Sequence, residues 1–108
     1  MTAVSSISCS GATAQPTRTQ FRAATKDAGT QNSVPVIDLE SLSVALYTAS
    51  GLCPSTDTAA TFTANTPIGN FFCDDHTHFE AAGATQIAGL VAKAIKDQGF
   101  PLASYLLP

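Results

Sequence analysis

The stretch "SVPVIDLESLSVALYTASG", residues 33–51, changes character at its middle. Val34, Val36 and Ile37 form a short β-branched run that ends in Asp38, as a buried strand does. Beyond Asp38, Leu39, Leu42 and Leu46 return on one helical stripe, and Gly51 offers a terminator. A strand passing straight into a helix is the repeating unit of α/β proteins, and the same alternation lies upstream. "AVSSISC" (3–9) reads as a short strand and "CSGATAQPT" (9–17) as a turn-rich connection. "TRTQFRAATKDAG" (17–29) reads as a helix, with Thr17 and Gln20 at capping-box spacing, Phe21, Ala24 and Ala28 on one face, and Gly29 as a stop.

Downstream the clearest element is the last helix. Ile87, Leu90, Val91, Ala94 and Ile95 fall on one buried face, while Lys93, Lys96 and Asp97 lie off it. Gly99 and Pro101 end it, and the tail "PLASYLLP" is apolar enough to dock. The order is strand, helix, strand, helix, long loop, helix, which predicts α/β architecture with two parallel strands and three helices. Two strands are too few for a covered parallel sheet. Residues 1–108 therefore read as part of a single domain, and the exposed sheet edge offers a surface for self-association.

Composition narrows the function. A net charge of −3 gives no reason to expect nucleic acid or an anionic membrane as partner. No apolar run is long enough to span a bilayer. The opening residues, "MTAVSSISCSGATAQ", lack the basic and apolar regions of a signal peptide. Of the three cysteines, Cys53 and Cys73 flank a polar loop that a disulfide between them would close, stabilising by roughly 3 kcal/mol and implying an oxidising compartment. The competing expectation is three free thiols, and Cys9 is the odd one out in either case.

Only 12% of the residues are charged, yet Asp74, Asp75, His76 and His78 sit within five positions. Such a cluster can be a solvated loop whose acids, with Glu80, favour the helix N-terminus. It can be a metal loop in which Asp74, Asp75, His76 and His78 are ligands, although zinc sites usually add distant ligands. It can also be an acid–base pair, because one turn of chain brings Asp75 within reach of His78 Nδ1. Spacing equally allows Asp74 with His78, or Asp75 with His76.

Residues 34–106, and the chain from Val4 onward, resemble the C-terminal part of the rhamnogalacturonan acetylesterase group of the SGNH (GDSL-like) hydrolases. The resemblance rests on "VPVIDL", "GNFFCDDHTHFEAAGATQIAGLVAKAIKDQG" and "PLASYL". That family's last block is Asp-x-x-His, which falls on Asp75-His76-Thr77-His78. The resemblance implies the C-terminal part of a three-layer αβα, flavodoxin-like fold. In it Asp75 orients the ring and His78 is the general base of a Ser-His-Asp mechanism. It further implies hydrolysis of O-acetyl esters of a pectic polysaccharide such as rhamnogalacturonan, with no cofactor and no metal, in a secreted protein whose leader would lie upstream.

The family's nucleophile turn, Gly-Asp-Ser, is absent, as is the Gly-x-Asn-Asp block of its oxyanion hole. Ser10 stands between Cys9 and Gly11, which is not a nucleophile elbow. An Asp–His pair alone lacks the covalent route and the oxyanion donor, the latter worth about 2.7–4 kcal/mol. The isolated chain is therefore expected to be inactive. The alternatives are a non-catalytic truncated remnant or assembly partner, and the metal-binding Asp/His loop. Phe71, Phe72 and Phe79 flank the cluster; core packing is the reading for at least two of them, and sugar stacking for one at most.

Overall fold

The structure, a computed structural model, describes residues 1–54 and 66–106. The polar loop expected after Gly51 falls largely outside the described residues. Among them the regular elements are strands β1 (Cys9–Ser10) and β2 (Thr13–Ala14), helices α1 (Thr19–Gln31), α2 (Leu39–Ala49), α3 (Pro67–Phe71) and α4 (Ala81–Asp97), and a 3-10 turn at Pro101–Tyr105.

The helix of the opening stretch forms where its signals place it. The Asp38 carboxylate accepts from Ser41 N as N-cap, and Gly51, at φ +71°, follows the last turn. Gly51 N donates to Thr48 O and Leu52 N to Tyr47 O (3.2 and 3.1 Å), the paired bonds of a Schellman ending. α4 ends the same way, with Gly99 at φ +72° bonding Lys96 O and Phe100 N bonding Ile95 O. Its buried face carries Gly83, Ile87 and Ala94, with Leu90, Val91 and Ile95 half-buried beside them. The face of α2 is rotated from the expected stripe. Leu39, Ser43 and Tyr47 point inward, whereas Leu42 and Leu46 are only half-buried. The cause is polar: Tyr47 Oη donates to Ser5 O (2.7 Å) and Ser43 Oγ accepts from Ser5 N (3.1 Å), drawing that side of the helix onto the N-terminal segment.

α1 differs from its expected form at both ends. It starts after Arg18, because Thr17 Oγ1 is engaged by Ser6 N and Ser5 Oγ instead of capping the helix. The buried carboxylate of Glu40 takes the Arg18 N–H in its place. Gly29 does not stop the helix, which continues to Gln31. It is glycine for closeness: a Cβ there would lie 2.3 Å from Val36 Cγ2. Phe21 is 66% exposed, and Ala24 and Ala28 are exposed with it, so the expected buried stripe faces outward.

Neither expected parallel strand is present as a ladder among the described residues. The segment 1–8 meets 33–38 through Thr2 N and Ile37 O (2.9 Å). Elsewhere its donors are satisfied by side chains and a loop: Ser5 N by Ser43 Oγ, Ser6 N by Thr17 Oγ1, and Ile7 N by His76 O. A backbone bonded that way has no row of donors left for a neighbouring strand. The paired strands instead form a minimal antiparallel hairpin, Cys9 opposite Ala14 and Ser10 opposite Thr13, turning at Gly11 with φ +57°.

This hairpin packs on α2, where Ala14 N donates to Thr48 Oγ1 (3.0 Å). It carries Cys9 to Cys53, and the two form the disulfide. The expected Cys53–Cys73 bridge is thereby corrected, and Cys73 is free. The two bonded cysteines have Cα atoms 5.6 Å apart, within the ordinary disulfide range. Around the bridge lies the core: Ile7, Ala14, Leu39, Tyr47, Leu52, Phe71, Phe72 and Ile87.

Candidate active site

The site is a loop mounted on that core. Phe72 and Phe79 form an antiparallel bridge, with Glu80 N donating to Phe71 O (2.9 Å) and Cys73 N to His78 O (2.8 Å). The six residues Cys73–His78 make the tip. The aromatic rings at its base interlock with Tyr47: Tyr47–Phe71 and Tyr47–Phe72 meet edge-on at 5.5 and 5.2 Å, and Phe79 lies 5.2 Å from Phe72. Phe71 and Phe72 are buried and Phe79 is half-buried, so these rings anchor the loop. That matches the core-packing reading. The two buried rings are closed to a sugar.

At the tip, His76 N donates to Cys73 O (3.1 Å), closing a turn, and His76 itself adopts φ +62°. Asp75 organises the remainder of the tip. Its Oδ1 accepts from Thr77 N (3.0 Å) and His78 N (2.8 Å), while its Oδ2 takes His78 Nδ1. Of the pairings that spacing allowed, the structure therefore makes Asp75 with His78. The His78 backbone N–H, then its ring, then the Thr77 N–H hold the Asp75 carboxyl down to about 2, so it is ionised at neutral pH. An ionised acceptor at Nδ1 selects the tautomer with its proton there, and Nε2 is left to accept one. The His78 side chain is 80% exposed, with its ring open to a reactant.

Cys73 Sγ lies 3.6 Å from Glu80 Oε1, and burial followed by the Glu80 carboxylate pushes its thiol up, away from thiolate. Among the described residues, no three His, Cys, Asp or Glu side chains gather where they could hold a metal ion. Asp74, Asp75, His76 and His78 thus do not converge as the metal-loop alternative requires. His76 contributes through its backbone, its carbonyl accepting from Ile7 N (3.0 Å).

Two contacts, one to this loop and one to the segment that meets it, had no sequence signal. Ser6 Oγ meets Thr77 Oγ1 (3.3 Å), and Arg18 Nη2 donates to Ser6 Oγ (3.2 Å). Both join residues far apart in the chain through a segment whose local pattern reads only as a strand.

No family model matches the chain. No solved structure matches it. Over 78 residues it is 38% identical to rhamnogalacturonan acetylesterase RhgT of Bacillus subtilis (strain 168), covering 68% of this chain and 32% of that protein. The chain thus spans about a third of the length of the curated relative it matches. The similarity is a distant and partial one, to a carbohydrate esterase.

Proposed function

We propose that this chain carries the general-base part of a carbohydrate acetylesterase, within a three-layer αβα SGNH fold. The observation that carries the reading is the Asp75–His78 pair, with Nδ1 held by an ionised carboxylate and the ring open to solvent. The similarity to an acetylesterase supports it. The expected substrate is an O-acetylated pectic polysaccharide such as rhamnogalacturonan, met outside the cell; the disulfide Cys9–Cys53 agrees with an oxidising setting.

In this reading a serine outside the 108 residues attacks the acetyl carbonyl, and His78 Nε2 takes the hydroxyl proton. As the tetrahedral intermediate collapses, His78 returns that proton to the departing sugar oxygen, and the acetyl group stays on the serine. Water, deprotonated by the same nitrogen, then releases acetate and restores the serine. Asp75 stabilises the imidazolium formed at each stage without taking its proton.

The test is a chimera in which these residues replace the matching third of the Bacillus protein. Acetate release from acetylated rhamnogalacturonan should fall by roughly 10³-fold or more on His78→Ala. An active chimera indifferent to that change refutes the reading. The isolated chain is assayed alongside on a simple acetyl ester. Hydrolysis there that depends on His78 would place the nucleophile inside the chain.

A further inference from the structure

Among the described residues, the short segment Ser6–Ile7 holds the tip of the loop from outside. Ile7 N donates to His76 O (3.0 Å), and Ser6 Oγ meets Thr77 Oγ1 (3.3 Å). Ser6 is itself fixed on two sides, its N–H donating to Thr17 Oγ1 (3.0 Å) and its hydroxyl accepting from Arg18 Nη2 (3.2 Å). A guanidinium only donates, so the Ser6 hydroxyl proton is free to turn toward Thr77. Thr77 N in turn donates to Asp75 Oδ1 (3.0 Å). A line of hydrogen bonds therefore runs from the start of α1 through Ser6 and Thr77 to the carboxylate.

The loop has reason to need it. His76 occupies the left-handed region at φ +62°, a conformation disfavoured for a residue with a side chain, and Asp75 and His78 are both substantially exposed. Local hydrogen bonds to water compete with those inside such a turn.

We propose that Ser6 is a positioning residue of the Asp75–His78 dyad, acting through Thr77 to keep one carboxylate oxygen on the turn and the other on the imidazole. The proposal rests on the dyad reading given under Proposed function. Ser6 touches neither His78 nor the reacting atoms; it sets where Asp75 points.

The experiment is carbon-13 titration of the Asp75 carboxyl in the full 108-residue chain, with the nitrogen-15 shifts of the His78 ring reporting its tautomer. The parent should titrate near 2. In Ser6→Ala and in Thr77→Val the midpoint should climb toward the ordinary 3.8, and the Nδ1-protonated tautomer should lose population. Ser6→Thr, which keeps the hydroxyl, should restore both. A role confined to global stability would lower the melting temperature and leave midpoint and tautomer in place; that result overturns the proposal. If Ser6→Ala fails to fold, Thr77→Val decides by the same two readings. His78→Ala separates the premises: it removes the ring and keeps the His78 and Thr77 backbone donors, so the Asp75 midpoint should rise only part of the way, and no rise at all would mean that the dyad reading itself has failed.

Discussion

Removing the Cys9–Cys53 bridge should cost this chain a large part of its stability. The bridge joins residues 44 apart, and the loop-entropy relation for that length gives about 4 kcal/mol at 25 °C. A domain this size has roughly 5–15 kcal/mol in total. The double variant Cys9→Ala, Cys53→Ala should therefore melt roughly 15–30 °C lower, at about 4–8 °C per kcal/mol. The residual cavity adds a smaller term, because Cys53 is buried beside Leu52. Reductant should reproduce most of the loss in the parent and none in the variant. A Cys53–Cys73 bridge would close a shorter loop worth roughly 3 kcal/mol, too close to distinguish by melting. Non-reducing peptide mapping makes the distinction, and it should link Cys9 to Cys53 and leave Cys73 alkylated. A linked peptide containing Cys73, or a melting temperature indifferent to reductant, refutes the reasoning.

Two glycines on α4 should respond in opposite directions. A Cβ at Gly83 would lie 2.2 Å from Phe71 O, whereas one at Gly89 meets nothing within 4 Å. In urea denaturation Gly83→Ala should lose roughly 1–3 kcal/mol by overpacking, and Gly89→Ala should gain up to about 1 kcal/mol from helix propensity; gains in both would contradict the packing. Tyr47→Phe leaves the Ser5 carbonyl unsatisfied and should cost about 1–3 kcal/mol. Burial pushes the Tyr47 hydroxyl up to about 12, so its folded-state advantage holds below pH 10 and disappears as pH rises toward 12. Alkaline melting curves should show that decline in the parent and a weaker one in the phenylalanine variant. Burial raises the Asp38 carboxyl, but bonds from Arg22 and Ser41 outweigh it and hold the group well below its usual range. That contribution is present above pH 3.8 and lost as acid protonates the folded pair, so Arg22→Gln should unfold at a higher pH than the parent in an acid titration.

What the sequence made legible was local. The stops at Gly51 and Gly99, the buried face of α4, and the reach of Asp75 to His78 all depend on residues a few positions apart. The departures arise where distant residues meet. Ser5 and Ser6 look like alternating strand positions, yet their N–H groups go to Ser43 and Thr17, so no ladder forms. The stripe Phe21, Ala24, Ala28 has helical period, but period does not say what covers it, and here it faces outward. Counting cysteines likewise could not show that the hairpin at Gly11 would carry Cys9 to α2.

The dyad's residues come from one four-residue span, with Asp75 making the turn that brings His78 to it. Most Ser-His-Asp sites gather their members from separate loops, and any shift between those loops degrades the pair. On the proposed reading, the acid and the base here travel as one piece. Their mutual geometry is therefore insulated from sequence drift elsewhere. What drift or recombination can change is where that piece is aimed, which makes the approach of a reactant, and not the pairing itself, the quantity selection would have to act on.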